Sequence, residues 1–186
     1  MSKDQDQFRE HLHRQRDKIV RKWLDAAIAT YPEDTANFLK RQKDPFANPV
    51  GATLSRELYN IFDELLRETS TDQLPRSVDA VVRVRAVQDF SPTQALQVFT
   101  VLKTILRRHL DDTVRDNGWE TPYRELEDKV DQLNMLAFDI YVKCKEQLWE
   151  LKARQAQGRV SYLLRKYAGM DETRSQADSG EDDTRE

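Results

Sequence analysis

No proline interrupts the chain between Pro122 and Ala168, and this constrains the fold more than any other feature. As one α-helix, the 47 residues of that run would extend about 70 Å. A compact domain of this length has a radius of gyration of only about 16 Å. The run therefore projects or breaks, and Gly158, inside a polar stretch, is the expected weak point. Leu126, Val130, Leu133, Ala137, Ile140 and Cys144 recur at alternating four- and three-residue spacing, a heptad-like seam of the kind that pairs helices. Phe138, Tyr141, Val142 and Trp149 add a second apolar strip. Apolar on more than one face, such a helix is expected between its own domain and a further surface.

The rest of the chain also reads as helix. Asn48-Pro49, Ser91-Pro92 and Thr121-Pro122 each pair a capping side chain with a proline suited to the first helical position. Gln94 completes a possible capping box with Ser91. Phe8, Leu12, Ile19, Trp23, Leu24, Ala27 and Ile28 predict a helix over about 4–30, ended by Tyr31-Pro32. A short helix near 35–40 and a long one over 49–69, with Leu54, Leu58, Ile61, Phe62, Leu65 and Leu66, follow. Residues 77–89 carry Val78, Val81, Val82, Val84 and Val87, a density that suits a strand. No second strand exists to pair with it, so it reads as a buried helix. Leu96, Phe99, Leu102, Leu106 and Leu110 mark the helix over 92–114. The expected fold is all-α, about six helices, globin-like or bundle-like, over residues 1–168. Residues 169–186, acidic and without apolar periodicity, are expected to be a disordered tail.

Charge and composition exclude several function classes. The net charge of −3 is uneven: residues 171–186 hold seven acidic residues and two arginines, whereas 143–167 hold seven basic and two acidic residues. A basic helix end beside an acidic tail is not the sustained basic face of a nucleic-acid binder. No stretch approaches the ~18 apolar residues that span a bilayer. The first ten residues are polar and carry no secretory h-region. The single cysteine, Cys144, allows no internal disulfide, and a cytoplasmic location is expected.

Candidate chemistry is sparse. Cys144 lies in the apolar seam and reads as a buried structural thiol. His11 and His13, two apart on a helix, cannot share an ion. His13 and Asp17, four apart, offer at most one weak pair of ligands, short of the four a structural zinc needs. His109 lies at the edge of an apolar face, where a histidine near a helix C-terminus favours the helix dipole; a haem ligand is the alternative. Glu125, Glu127 and Asp128 read as a solvated helix face. No phosphate loop, nucleophile elbow or HExxH pattern occurs. No catalytic residue, metal or cofactor is expected. The most unusual stretch is Asp44-Pro45-Phe46-Ala47-Asn48-Pro49-Val50-Gly51. Two prolines stiffen it, Asn48 can cap a helix, Phe46 and Val50 can tuck inward, and Gly51 permits close backbone approach. It is a rigid corner and a candidate contact for a ligand or partner.

That corner begins a likeness to a known family. Trp23 through Tyr31-Pro32, Asp44-Pro45-Phe46, Asn48-Pro49-Val50-Gly51, Ser91-Pro92 with the helix from Leu96 to Leu106, and Leu136-Ala137-Phe138-Asp139-Ile140-Tyr141 with Cys144 together resemble the RsbRD N-terminal domain family. The likeness covers about residues 8–155 and implies a helical sensory domain, globin-like without haem, in bacterial stress signalling. It also implies homodimers whose last helix leads into a STAS domain. The residues after Ala168 are too few for one, so a stand-alone member is expected. The leading function is a non-catalytic regulatory module, homodimeric, with a protein partner and no nucleic-acid or membrane partner. The alternative is a haem- or small-molecule-binding sensor that uses the domain interior. Phe138, Tyr141, Val142 and Trp149 are the expected self-association surface.

Overall fold

The computed structural model describes the backbone of residues 3–69, 71–88 and 90–178, with side chains described through Tyr162. Among these residues there are six helices and no strand: α1 (Lys3–Ile28), α2 (Glu33–Arg41), α3 (Pro49–Leu66), α4 (Gln73–Ala86), α5 (Pro92–Asn117) and α6 (Glu120–Asp178). The all-α reading holds, and the valine-rich segment is helical as expected. The chain divides into two units, Met1–Cys144 and Lys145–Glu186.

The first unit is built around α1, which packs against α5, α3 and α2; α3 also packs against α4, and α4 against α5. Its apolar stripe, Phe8, Leu12, Ile19, Val20, Trp23, Ala27 and Ile28, is buried throughout. Trp23 is fully buried, so its indole N–H needs a partner. It donates to the backbone carbonyl of Val98, inside α5. Toward α3, Arg16 holds Asp63 through two hydrogen bonds of 2.5 and 2.6 Å and lies 4.5 Å from the Tyr59 ring centre. Buried Glu64 accepts from the Thr71 amide and hydroxyl, and so folds the α3–α4 connection onto α3.

Helix ends follow local chemistry with one correction. Ser91 and Gln94 form the full capping box of α5, and Gly118, at φ 70°, ends that helix in the left-handed conformation. Thr121-Pro122, however, is not a cap. The helix starts at Glu120, and the Trp119 carbonyl accepts the first bond, from Tyr123 N–H. Pro122 then falls in the first turn, where its missing donor is not needed. The start is drawn back because Trp119 is buried, edge-on to Phe8 at 5.8 Å.

Two other expectations change on α4 and α6. Val87 is exposed, and the charged Arg85 takes the interior place beside Val81, Val82 and Ala86. On α6, Leu126, Val130, Leu133, Ala137 and Cys144 are buried, with Tyr141 and not Ile140 completing the inward face. An α-helix advances 3.6 residues per turn, so a strict heptad drifts off a fixed core and the fifth contact slips by one residue. In the second unit the helix continues through Gly158, the expected weak point. Its flanking residues are good helix formers, and one glycine costs only about 1 kcal/mol. Backbone helix also extends past Ala168 to Asp178; of the expected acidic tail, residues 179–186 lie outside the described residues.

Trp23→Phe removes the donor to Val98 and leaves a small void. It is expected to lower unfolding stability by about 1–3 kcal/mol while keeping the helical spectrum. Urea titration followed by circular dichroism measures this.

Candidate functional site

The corner between α2 and α3 is held by one side chain. Asn48, buried to 4% exposure, accepts from Gly51 N–H at 2.8 Å and so caps α3. Its amide donates to the carbonyls of Leu39 and Gln42 at 3.0 and 2.8 Å, closing the end of α2 as well. A Cβ on Gly51 would lie 2.4 Å from the Asn48 amide nitrogen, which is why glycine stands there. Asp44 makes the apex of the turn. Its carboxylate accepts from Phe46 N–H at 3.0 Å, and its carbonyl accepts from Asn48 N–H at 2.9 Å. Pro45 and Pro49 are exposed, Pro49 opening α3.

Phe46 does not tuck inward. It is 97% exposed, in the turn that the Asp44 carboxylate and carbonyl close, and Val50 is only half-buried. The bonded turn fixes the backbone that carries this exposed ring, so little backbone freedom would remain to be lost in any contact it made.

On α6, Phe138 and Val142 of the first unit are exposed, as is Met135. Tyr141, expected on the same strip, is buried and belongs to the core. In the second unit Trp149 is 67% exposed, and Leu151, Val160 and Tyr162 are exposed too. Cys144 is a free, buried thiol.

The histidines occupy structural settings. His109 lies at the contact of α5 with α1: Nδ1 is 3.2 Å from Lys22 Nζ and Nε2 is 3.3 Å from Gln15 Oε1. The ammonium donates to Nδ1, so Nε2 carries the proton and donates to Gln15. Both ring nitrogens are thus engaged. Burial, and then the charges of Lys22, Lys18 and His11, push the His109 pKa below its ordinary value. Burial and Arg14 do the same to His11, whose ring lies 5.6 Å from that of Trp119. His13 is exposed. Of the carboxylates on α6, Glu127 pairs with Arg107 at 2.9 Å and Glu125 accepts from Gln5 at 3.0 Å. Among the described residues no three His, Cys, Asp or Glu side chains gather as metal ligands. No helix among them is long and apolar enough to cross a membrane.

Two surface clefts, of about 290 and 340 Å³, flank Lys129 on α6. Lys129 donates to the carbonyls of Leu65 and Arg67, closing the C-terminus of α3, and its burial, with Arg9 nearby, lowers its pKa. His109 lines neither cleft. Sequence reasoning gave no role to Lys129 or Arg85. A lone basic residue on a helix carries no local signal of the distant carbonyls it will meet.

Comparison with known proteins agrees with the resemblance read from the sequence. The family described as the RsbT co-antagonist protein rsbRD N-terminal domain matches residues 17–156, most of the first unit and the start of the second. No curated protein and no solved structure matches the chain.

Two outcomes follow from this geometry. Gly51→Ala displaces the Asn48 amide and is expected to cost about 1–2 kcal/mol, the worth of a helix cap, read as a lower melting temperature. The depressed pKa values of His11 and His109 mean that the unfolded chain takes up protons first as pH falls. Their contribution is therefore complete above the ordinary histidine pKa of 6.5 and is lost as pH falls from there through the lower folded values. His109→Gln keeps an uncharged partner for Lys22, and should flatten the fall in melting temperature between about pH 7 and about pH 5.

Proposed function

Because the chain belongs to the RsbT co-antagonist protein RsbRD N-terminal domain family, we propose that it is a non-catalytic, cytoplasmic sensory and regulatory module. It works through protein contacts: it self-associates through α6 and meets a protein partner at the Phe46 corner. Two observations, each taken within its own unit, carry this reading: Phe138 and Val142 are exposed on α6 of the first unit, and Trp149 is exposed on α6 of the second. Monomers rarely leave such patches uncovered. A two-fold pairing covers the same patch on both copies with one repeated contact. Aromatic residues are also enriched where interfaces are most buried. Tyr141, buried in its own domain, is not part of that surface.

Support for the partner contact comes from Phe46, a rigidly presented aromatic with no neighbour to cover it. Family membership supports the regulatory role.

Trp149→Glu is expected to give a folded monomer, whereas Ala137→Glu, a charge at a fully buried position, is expected to unfold the first unit. Light scattering and circular dichroism on both variants separate these effects. A Trp149→Glu protein that stays dimeric at micromolar concentration, with unchanged helicity, would sink the assignment. For the corner, Phe46→Ala should leave the melting temperature within about 0.5 kcal/mol of wild type while abolishing capture of the partner by tagged protein.

A further inference from the structure

Arg85 is wholly buried, yet every acceptor it meets among the described residues is neutral. Its Nε donates to the Ala95 carbonyl at 3.0 Å, and Nη2 donates to the Gln94 carbonyl at 2.7 Å and to the Thr30 hydroxyl at 2.8 Å. The guanidinium plane lies against two rings, 4.5 Å from the centre of Phe90 and 5.3 Å from that of Tyr31. These rings meet edge-on at 5.2 Å. The remaining nitrogen, Nη1, is buried and makes no hydrogen bond, and neither do the buried Tyr31 hydroxyl and the Gln88 carbonyl oxygen. Gln88 and Arg85 both lie within reach of the Tyr31 hydroxyl, on which they act.

A guanidinium stays charged at any physiological pH, so this site buries a full positive charge. Nearby helix ends do not offset it. The partial negative charge at the C-terminus of α4, where Arg85 stands, is matched by the partial positive charge at the N-terminus of α5, where its acceptors stand. Buried charges require an opposite charge as well as hydrogen bonds. Arg85 Nη1 and the Tyr31 hydroxyl, both without a hydrogen bond of ordinary geometry, lie near one another, and beside the hydroxyl stands the Gln88 amide, which presents its NH2 once the side chain turns over.

We propose that Arg85, Tyr31 and Gln88 form a binding site for one small monovalent anion, of halide or formate size, where the end of α1 meets α4 and α5. The anion accepts from Arg85 Nη1, the Tyr31 hydroxyl and the Gln88 amide, and supplies a negative charge that no described residue brings to Arg85. Occupancy ties three helices together at one point. The site is independent of the α6 surface, and either assignment can fail without the other.

Tyr31→Phe is the discriminating variant. The hydroxyl makes no hydrogen bond of ordinary geometry among the described residues, so the variant should fold, and should melt within about 1 kcal/mol of wild type in anion-depleted buffer. The probe is sodium chloride, read by the chloride NMR line width on the full chain. Wild type should broaden the line saturably, formate should compete, and Tyr31→Phe should weaken binding about tenfold, as expected for one lost hydrogen bond. Crystals grown in sodium bromide should show an anomalous peak between Arg85 Nη1 and the Tyr31 hydroxyl. Line width that rises without saturation, or equally in Tyr31→Phe, overturns the proposal. So does a water molecule in place of bromide. The third contrary result concerns Asp89, which lies outside the described residues. If Asp89→Asn destabilises the chain as much as Arg85→Met, and wild type shows no chloride effect, the counter-charge belongs to the chain itself.

Discussion

A tryptophan that cannot reach water fixes the centre of this protein. Trp23 is fully buried, and an unmet indole donor at that depth would cost about 1–3 kcal/mol. Its bond to the Val98 carbonyl therefore sets the depth of α1 against α5, and the spacing of the α1 stripe then brings Ile19, Val20 and Ala27 into the same interior. On another side of α1, Arg16 fastens Asp63 and Tyr59 of α3. With α1 placed, α3 and α5 each have one side covered, and α4 packs against both.

The second demand on the fold is that helix ends buried between neighbours find partners. Asn48 serves two ends at once, Lys129 closes α3 from α6, and Ser91 with Gln94 closes the start of α5. Arg85 brings α4, the first turn of α5 and Thr30 together on one guanidinium. Polar side chains thus connect the elements at their ends, while apolar stripes connect them along their lengths. Junctions of this kind would suit the proposed regulatory role, since packed interiors do not deform continuously.

Surface features carry the functional reading. Phe46 and the α6 aromatics are large apolar groups left outside an otherwise well-buried set of side chains. Under the proposed function, contacts with other protein chains would give such groups a use.

Features that depend on a few neighbouring residues were legible in the sequence. Asn48-Pro49 and Ser91-Pro92 announce helix starts, because a cap acts within three residues of itself. Apolar spacing marked α1, α3 and α5, since a helix repeats every 3.6 residues whatever surrounds it. Family membership was legible for the same reason, through residues at fixed positions on those helices. Tertiary packing alone decided which side chains those helices turn inward. It buried Arg85 and Tyr141, left Val87 and Phe46 outside, drew the start of α6 back to Glu120 and set Lys129 over the end of α3. Burial is a property of what the distant chain brings alongside, and no residue carries that in its own neighbourhood.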